Sequence, residues 1–325
     1  MSIAGRPGSG GSPERAWDGL RAPRRPTRAT PRVALATCRE HPAGDEDAPL
    51  LLAACSAAGL DAEWRVWDDA AVDWDSYDLV VIRSTWDYVP RRDDFAAWAA
   101  SVPRLANPAD VVRWNTDKTY LRDLAGAGVP VVPTEHLAPG DAPAWPADWL
   151  EVVVKPAVSA GGQDTARYGP GDVDRARTHA GKLLAASRRV LVQPYLTAVD
   201  EVGETAVVHV GGAYSHSLGK AALLLPGAAA EIDELWRPER IEAREPSAAE
   251  RAVAEQALAA VPGGPERLLY ARVDLLPGPD GDPLVIELEL TEPSLFLTAV
   301  PAGADRFAAA IRRAVTPDRA ARRPW

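Results

Sequence analysis

Residues 268–290 read LLYARVDLLPGPDGDPLVIELEL, two strand-like runs joined by a link made almost wholly of turn formers. The link PGPDGDP (277–283) predicts a β-hairpin. Alternate residues of a strand share a face. Tyr270, Arg272 and Asp274 therefore lie on one side of the first run, and Ala271, Val273 and Leu275 on the other. In the second run Val285, Glu287 and Glu289 oppose Ile286, Leu288 and Leu290. With the turn centred on Asp280–Gly281, Asp274 sits opposite Glu287, and Arg272 opposite Glu289. Three carboxylates and one guanidinium then gather on one patch. Such carboxylates repel one another unless a cation intervenes, and an all-oxygen donor set suits a hard ion such as Mg²⁺ completed by waters and phosphates. The same alternation also describes a solvated face of an amphipathic sheet, and the hairpin alone leaves both readings open.

Upstream of the hairpin the pattern has two parts. From Val33 onward, strands at VALAT (33–37), 62–67 and 78–83 alternate with helices at 47–58, 92–101 and 116–126, with Asp47 as the expected N-cap of the first. That alternation predicts a parallel α/β layer. The strand EVVVKP (151–156) then leads into the glycine-rich SAGGQDT (159–165), a return strand ARY, a helix at 172–187 and the strand RVLVQPY (189–195). Strands at 205–210 and 213–220 precede the hairpin, and helices near 247–260 and 303–315 flank it. The expected organisation is a disordered tail over 1–31, an N-terminal α/β domain over 32–128, a small α+β lobe over 129–196, and a larger antiparallel lobe over 197–318 that carries the acidic face.

Charge and residue usage narrow the function. The net charge of −10 disfavours broad nucleic-acid binding. Residues 1–32 hold seven Arg against two acids, so the remainder is more acidic still. No run approaches the ~18 apolar residues of a membrane span, and no secretory signal is apparent, so a cytoplasmic protein is expected. Cys38 and Cys55 are too few for a disulfide framework or a zinc site. The 36 basic residues include only four Lys, namely Lys118, Lys155, Lys182 and Lys220. An ammonium on a flexible stem suits a phosphate cradle better than the planar fork of Arg. Lys182 falls on a polar helix and needs no special account. Lys155 ends a hydrophobic strand just before a loop whose glycines let backbone N–H groups close over an anion. Lys118 heads a helix in WNTDKTY, and Lys220 ends AYSHSLGK on the face of His216. His216 reads as a structural residue more than a base.

In this order, over about residues 33–315, these features resemble the ATP-grasp superfamily. The resemblance implies a nucleotide held between two α+β lobes. Lys118 and Lys155 resemble its phosphate-binding lysines, and the loop with Ser159, Gly161 and Gly162 resembles the flap that closes over them. Gln193, Tyr195 and Leu196 resemble the adenine hinge. Glu204 in VGETAVV resembles the ribose acid, with Glu201 as the fallback. Asp274, Glu287 and Glu289 resemble the metal ligands, and Arg272 the residue that neutralises the transferred phosphate. Lys220 is grouped with Arg272 as catalytic. Many members carry Asn where this chain has Glu289. Among the glutathione-synthetase-like ligases, RSTWDY, NTDK, VVVKP, GE, H-x-x-x-K and ELELTEPS further resemble a bacterial group that contains the O-ureido-serine cyclo-ligase of cycloserine biosynthesis.

The resemblance implies an ATP- and Mg²⁺-dependent carbon–nitrogen ligase, with Mn²⁺ as a substitute metal. A small, amino-acid-like carboxylate would become an acyl phosphate, and an amine would then displace phosphate. Positioned cations suffice for such a step, and no nucleophilic Ser or Cys is required. The substrate is expected at the loop RSTWDY, with Arg83, Ser84, Thr85, Trp86 and Asp87 at the end of an α/β strand. Arg83 would hold a carboxylate and Asp87 an ammonium; the bland alternative is that these two pair with each other while Trp86 packs. Rival readings are a cyclo-ligase of the O-ureido-serine type and a non-catalytic ATP-binding protein. The expected partners are small-molecule carboxylate and amine substrates, with a homo-oligomer left open.

Overall fold

The computed structural model describes residues 30–222, 224 and 241–316. The expected tail lies outside these residues apart from its last two positions. Val33–Ala36 and Val80–Ile82 are apolar at every position and fully buried, which requires cover on both faces of their sheet. They form the centre of a four-stranded parallel sheet in the order β2-β1-β3-β4, with β1 Arg32–Thr37, β2 Asp61–Val66, β3 Leu79–Ser84 and β4 Leu105–Ala106. One face packs Ala34, Ala36, Val80 and Ile82 against Phe95 and Ala99 of α2 Arg92–Ser101. The other packs Val33, Leu35 and Val81 with α1 Ala48–Ala57 and α8 Ala302–Val315.

Two shorter helices follow, α3 Ala109–Asn115 and α4 Tyr120–Gly126. The helix expected to begin at residue 116 starts four residues later. The Lys118 N–H is committed across to the Ala157 carbonyl at 2.8 Å, so residues 116–119 turn instead of winding. The small lobe is an antiparallel sheet in the order β5-β8-β6-β7, with β5 Glu135–Leu137, β6 Val152–Pro156, β7 Ala166–Tyr168 and β8 Val190–Pro194. Ala176, Ala180, Leu183 and Leu184 of α5 Val173–Ala185 cover one face.

The large lobe is a five-stranded antiparallel sheet in the order β11-β10-β9-β12-β13, with β9 Glu204–Val210, β10 Ala213–Lys220, β11 Ile241–Ala243, β12 Tyr270–Pro277 and β13 Pro283–Glu289. A four-residue helix, α6 Val199–Val202, precedes it. On one face Val207, Ala271, Val273 and Leu288 pack on α4 and on α7 Ala248–Ala259, which opens with a Ser247–Glu250 capping box. The other face is divided. Ala206, Val208, Val210, Leu218 and Tyr270 are covered from the side of α8, whereas Glu204, Lys220, Arg272 and Asp274 continue the same face into a cavity.

The hairpin register holds where the charges are, with Arg272 opposite Glu289 and Asp274 opposite Glu287. Beyond Asp274 it slips by one, so that Leu275 pairs with Val285 and Ile286 is the extra residue of a bulge. A bulge reverses the alternation on its strand. The expected grouping of Val285 with Glu287 and Glu289 is therefore corrected. Val285 is fully buried with Leu288 and Leu290, while Ile286 turns to the cavity. Among the described residues no helix is long and apolar enough to cross a membrane.

Candidate active site

The cavity lies where the three sheets meet. Glu204, Lys220, Arg272, Asp274, Glu287 and Glu289 form its floor on the large sheet. Its roof is the small lobe, with Lys155 at the end of β6 and the loop Ser159–Gly162 after it. Gly161 and Gly162 have φ of +59° and +72°, and Asp164 beyond them has φ +54°. The loop thus turns through left-handed conformations that favour glycine at both positions. Lys118 enters from the turn before α4.

The floor is a lattice of opposed charges. Arg272 donates to both oxygens of Asp274, Nε to Oδ1 and Nη2 to Oδ2, each at 2.8 Å. Its Nη2 also meets Glu289, and its Nη1 donates to the Ser294 carbonyl at 2.9 Å. Lys220 donates to Asp274 at 3.1 Å and also pairs with Glu204. Lys118 donates to the Ser159 carbonyl at 2.7 Å and pairs with Glu287 at 3.1 Å, tying the flap to the floor. Lys155 is 6% exposed. Among the described residues no hydrogen bond or ion pair reaches its ammonium. Burial pulls its pKa down to about 8, helped by Lys118 and opposed by Glu287. Burial alone would raise the Asp274 carboxyl, but Arg272 and Lys220 outweigh it and hold it far below its usual range. Glu287 is likewise lowered by Lys118 and Lys155 against its burial. Glu289 goes the other way, pushed up to about 8 by burial and by Glu287 and Asp274, with Arg272 opposing.

The three carboxylates expected to hold a metal share one face, but each is turned toward a cation. Among the described residues no group of three His, Cys, Asp or Glu side chains converges as an all-protein cage would require. Mg²⁺ does not demand such a cage; it commonly takes one or two carboxylates and fills its octahedron with waters and phosphates. Asp274 beside Glu287 is a donor set of that kind.

The hinge residues fall at the cavity's apolar end. Gln193, Tyr195 and Leu196 all line it; the Gln193 Nε2 and the Tyr195 hydroxyl are bonded within the protein, and among the described residues no hydrogen bond reaches the buried Gln193 Oε1. Gln193 Nε2 donates to Thr134 Oγ1 at 2.8 Å. The Tyr195 hydroxyl donates to Asp200 at 2.6 Å, and its ring lies beneath the Arg167 guanidinium, 3.4 Å from the ring centroid. Val153, Val199, Leu276 and Ile286 complete an apolar slot that periodicity did not reveal, Ile286 because it depends on the bulge.

At the opposite end the sequence reading needs correction. Of Arg83, Ser84, Thr85, Trp86 and Asp87, only Trp86 lines the cavity. Arg83 is 1% exposed, lies 5.7 Å and 5.5 Å from the ring centroids of Tyr270 and Phe307, and donates to the Pro293 carbonyl at 2.9 Å. Ser84 and Thr85 are fully buried. Asp87 accepts from Trp67 Nε1 and Arg91 Nη2, both at 2.8 Å, so it pairs with neither Arg83 nor an open cavity. These residues support the wall; Tyr88, Asn115, Glu292, Ser294 and Phe296 join Trp86 in forming it. Glu292 lies inside the quoted ELELTEPS motif, and the strand pattern ends before reaching it. His216 is structural, with Nε2 against the Leu295 carbonyl and Nδ1 against Ser215 Oγ, each at 2.8 Å.

Comparison with known proteins bears on this site directly. Residues 33–107 match the family model described as the N-terminal domain of D-cycloserine synthetase DcsG. The cycloserine biosynthesis protein DcsG of Streptomyces lavendulae is 42% identical over 287 residues, covering 84% of this chain and 95% of that protein. The crystal structure of D-cycloserine synthetase DcsG superposes with a TM-score of 0.78 at 38% identity, covering 88% of this chain and all of the other. A RimK-domain ATP-grasp protein from Sphaerobacter thermophilus shares the fold at 20% identity, with a TM-score of 0.62 over 86% of this chain and 98% of its own. The chain belongs to the DcsG family of ATP-grasp carbon–nitrogen ligases.

Proposed function

We propose that this ligase closes a ring, activating the carboxylate of an amino-acid-like substrate with ATP and joining it to a nitrogen of the same molecule. The observation that carries the reading is the cavity's polarity. An apolar slot for a base leads through Lys155, Lys118 and Arg272 to a small wall of Trp86, Tyr88, Ser294 and Phe296. The likeness to a D-cycloserine synthetase favours O-ureido-D-serine as substrate and D-cycloserine as product. A carboxylate oxygen attacks the γ-phosphorus and ADP leaves. The ring nitrogen then attacks the acyl phosphate, orthophosphate leaves and the nitrogen's proton passes to solvent; hydrolytic loss of the carbamoyl group completes the conversion.

In this scheme Lys155 and the backbone of Ser159–Gly162 hold the β- and γ-phosphates. Arg272, fixed by Asp274, faces the charge that grows on the transferred group. Lys220 is held against Asp274 and Glu204, with Glu204 toward the ribose. Asp274, Glu287 and Glu289 are the candidate Mg²⁺ residues, and Mg²⁺ would supply charge neutralisation along the triphosphate. Residues 32–128 form the substrate-side domain, 129–196 the small lobe and 197–318 the large lobe. The setting is the cytoplasm, where ATP and Mg²⁺ are supplied. The test is phosphate release with O-ureido-D-serine, its L-isomer and the proteinogenic amino acids, followed by mass spectrometry. D-Cycloserine formed with one ADP per turnover is the expected result. Release that requires a separate amine would replace ring closure with intermolecular ligation.

A further inference from the structure

One acid in the cavity has no part in the phosphoryl chemistry. Glu204, Asp274, Glu287 and Glu289 each pair with a lysine or arginine. Glu292 does not. Among the described residues no ion pair reaches it, and the side chain that engages it is the Tyr88 hydroxyl. Burial raises its pKa to about 7, with Lys118 and Tyr88 opposing. An acid so placed gains from an arriving cation.

The backbone that carries it is fixed to an unusual degree. Six successive carbonyls each meet a side chain. Asn107 Nδ2 donates to Leu290 at 2.7 Å, the Tyr270 hydroxyl to Thr291 at 2.8 Å and Trp86 Nε1 to Glu292 at 3.3 Å. Arg83 Nη2 donates to Pro293 and Arg272 Nη1 to Ser294, both at 2.9 Å, and His216 Nε2 meets Leu295 at 2.8 Å. Asp47 then accepts the Leu297 and Thr298 N–H groups at 2.8 and 2.9 Å. Phe296 is held at φ +51°, a left-handed conformation that a bulky residue rarely adopts. So many constraints place the Glu292 carboxylate, Ser294 and the Phe296 ring at set positions in the wall. Trp86 and Tyr88 line the cavity beside it.

We propose that Glu292 is a specificity-determining residue that binds the substrate's α-ammonium, with Trp86, Tyr88 and Phe296 as the walls of that subsite. This rests on the reading of the substrate as amino-acid-like. The Glu292–ammonium pair would orient the molecule so that its carboxylate points to Arg272 and the γ-phosphate. An acid with no ammonium leaves Glu292 without its partner and is a poor substrate.

The test uses the full chain with saturating Mg-ATP and two acceptors, O-ureido-D-serine and its counterpart lacking the amino group. For the wild type, kcat/KM is expected to be at least 100-fold lower with the desamino compound. In Glu292→Gln, KM for the amino compound should rise at least tenfold, kcat should change less than threefold, and the preference between the two acceptors should collapse. Glu292→Asp should recover part of the preference. Nucleotide affinity, measured by titration with a non-hydrolysable ATP analogue, should stay within threefold and reports that the variant has folded. Unchanged KM in Glu292→Gln, or equal losses with both acceptors, would overturn the assignment. If another amino acid supports release and O-ureido-D-serine does not, ring closure fails, and the same pair of measurements on that amino acid and its desamino acid decides Glu292. Release supported only by acids without an ammonium overturns the Glu292 assignment and leaves the ligase standing. Release with none of them overturns both.

Discussion

At the residue scale, Lys155 is a buried cation whose pairing with an anion can be followed by its titration. Its ammonium is buried, and the described residues offer it no hydrogen-bonding partner, so the neutral form is favoured and the pKa falls to about 8. A triphosphate in contact with it reverses that preference and moves the pKa back toward the usual lysine range of about 10.4. The sign follows. Near pH 8 about half the free molecules carry a neutral Lys155, and the bound state is protonated, so binding draws a proton from the buffer. Below about pH 7 both states are charged and this uptake vanishes. We predict calorimetric proton uptake of up to about half a proton at pH 8, rising toward pH 9, with nucleotide affinity declining over the same interval. Lys155→Ala should remove this uptake, leaving the proton exchange of Glu289, whose pKa lies in the same range, and should weaken affinity at least tenfold at pH 7. Lys155→Arg should be impaired too, because a planar fork replaces a point charge. Uptake that persists undiminished in Lys155→Ala would place the titrating group elsewhere. The lysine was legible in the sequence from its scarcity and its place before two glycines; its lack of a partner was not, since that depends on which acids its neighbours capture.

At the element scale, the long periodic segments were legible and the connections were not. The strands of the hairpin, β10 and the helices at 92–101 and 302–315 follow from alternation or amphipathic spacing, because one face of each is buried. The short α3, β4, β5 and β11 carry too few residues for a period to show. The loop after β13 was illegible for another reason. Its shape is set by Arg83, Trp86 and Asp47, which lie 210, 206 and up to 251 residues away in sequence. Asp47 illustrates the limit. Placed before a helix, it reads as an N-cap, yet it makes no capping hydrogen bond and instead gives both oxygens to Leu297 and Thr298. Asp47→Ala should therefore leave two N–H groups without their acceptor, Leu297 being fully buried. A loss of about 2–4 kcal/mol in urea unfolding is expected from the usual cost of such orphaned groups. The acceptor KM should rise with it, since the same loop carries Glu292, while nucleotide affinity should hold. A stability loss under about 1 kcal/mol with unchanged KM would show that the loop keeps its shape without this anchor.

At the scale of the whole molecule, the meeting of three sheets gives the cavity a direction. The hinge end is apolar, built from Val153, Leu196, Val199, Leu276 and Ile286, and suits a base. The far end is the anchored loop with Glu292, Ser294 and Phe296. Arg272 stands between them, donating to Asp274 on the floor and to the Ser294 carbonyl on the loop. A nucleotide with its base in the apolar slot must run its phosphates toward Arg272, so the γ-phosphate reaches the substrate first and the α-phosphate stays nearest the hinge. Lys155 and the flap cover the chain between. An adenylating enzyme would need its substrate carboxylate at the α-phosphate, on the hinge side of those cations, where the wall is aliphatic. We therefore predict transfer of the γ-phosphoryl group, with ADP and orthophosphate as products. Substrate labelled with ¹⁸O in its carboxyl group should pass label to orthophosphate, because one of its oxygens bridges to phosphorus in the acyl phosphate and departs with it when nitrogen attacks. AMP formation with label in AMP would reverse the direction inferred for the nucleotide, and with it the role of Arg272, while leaving the fold untouched.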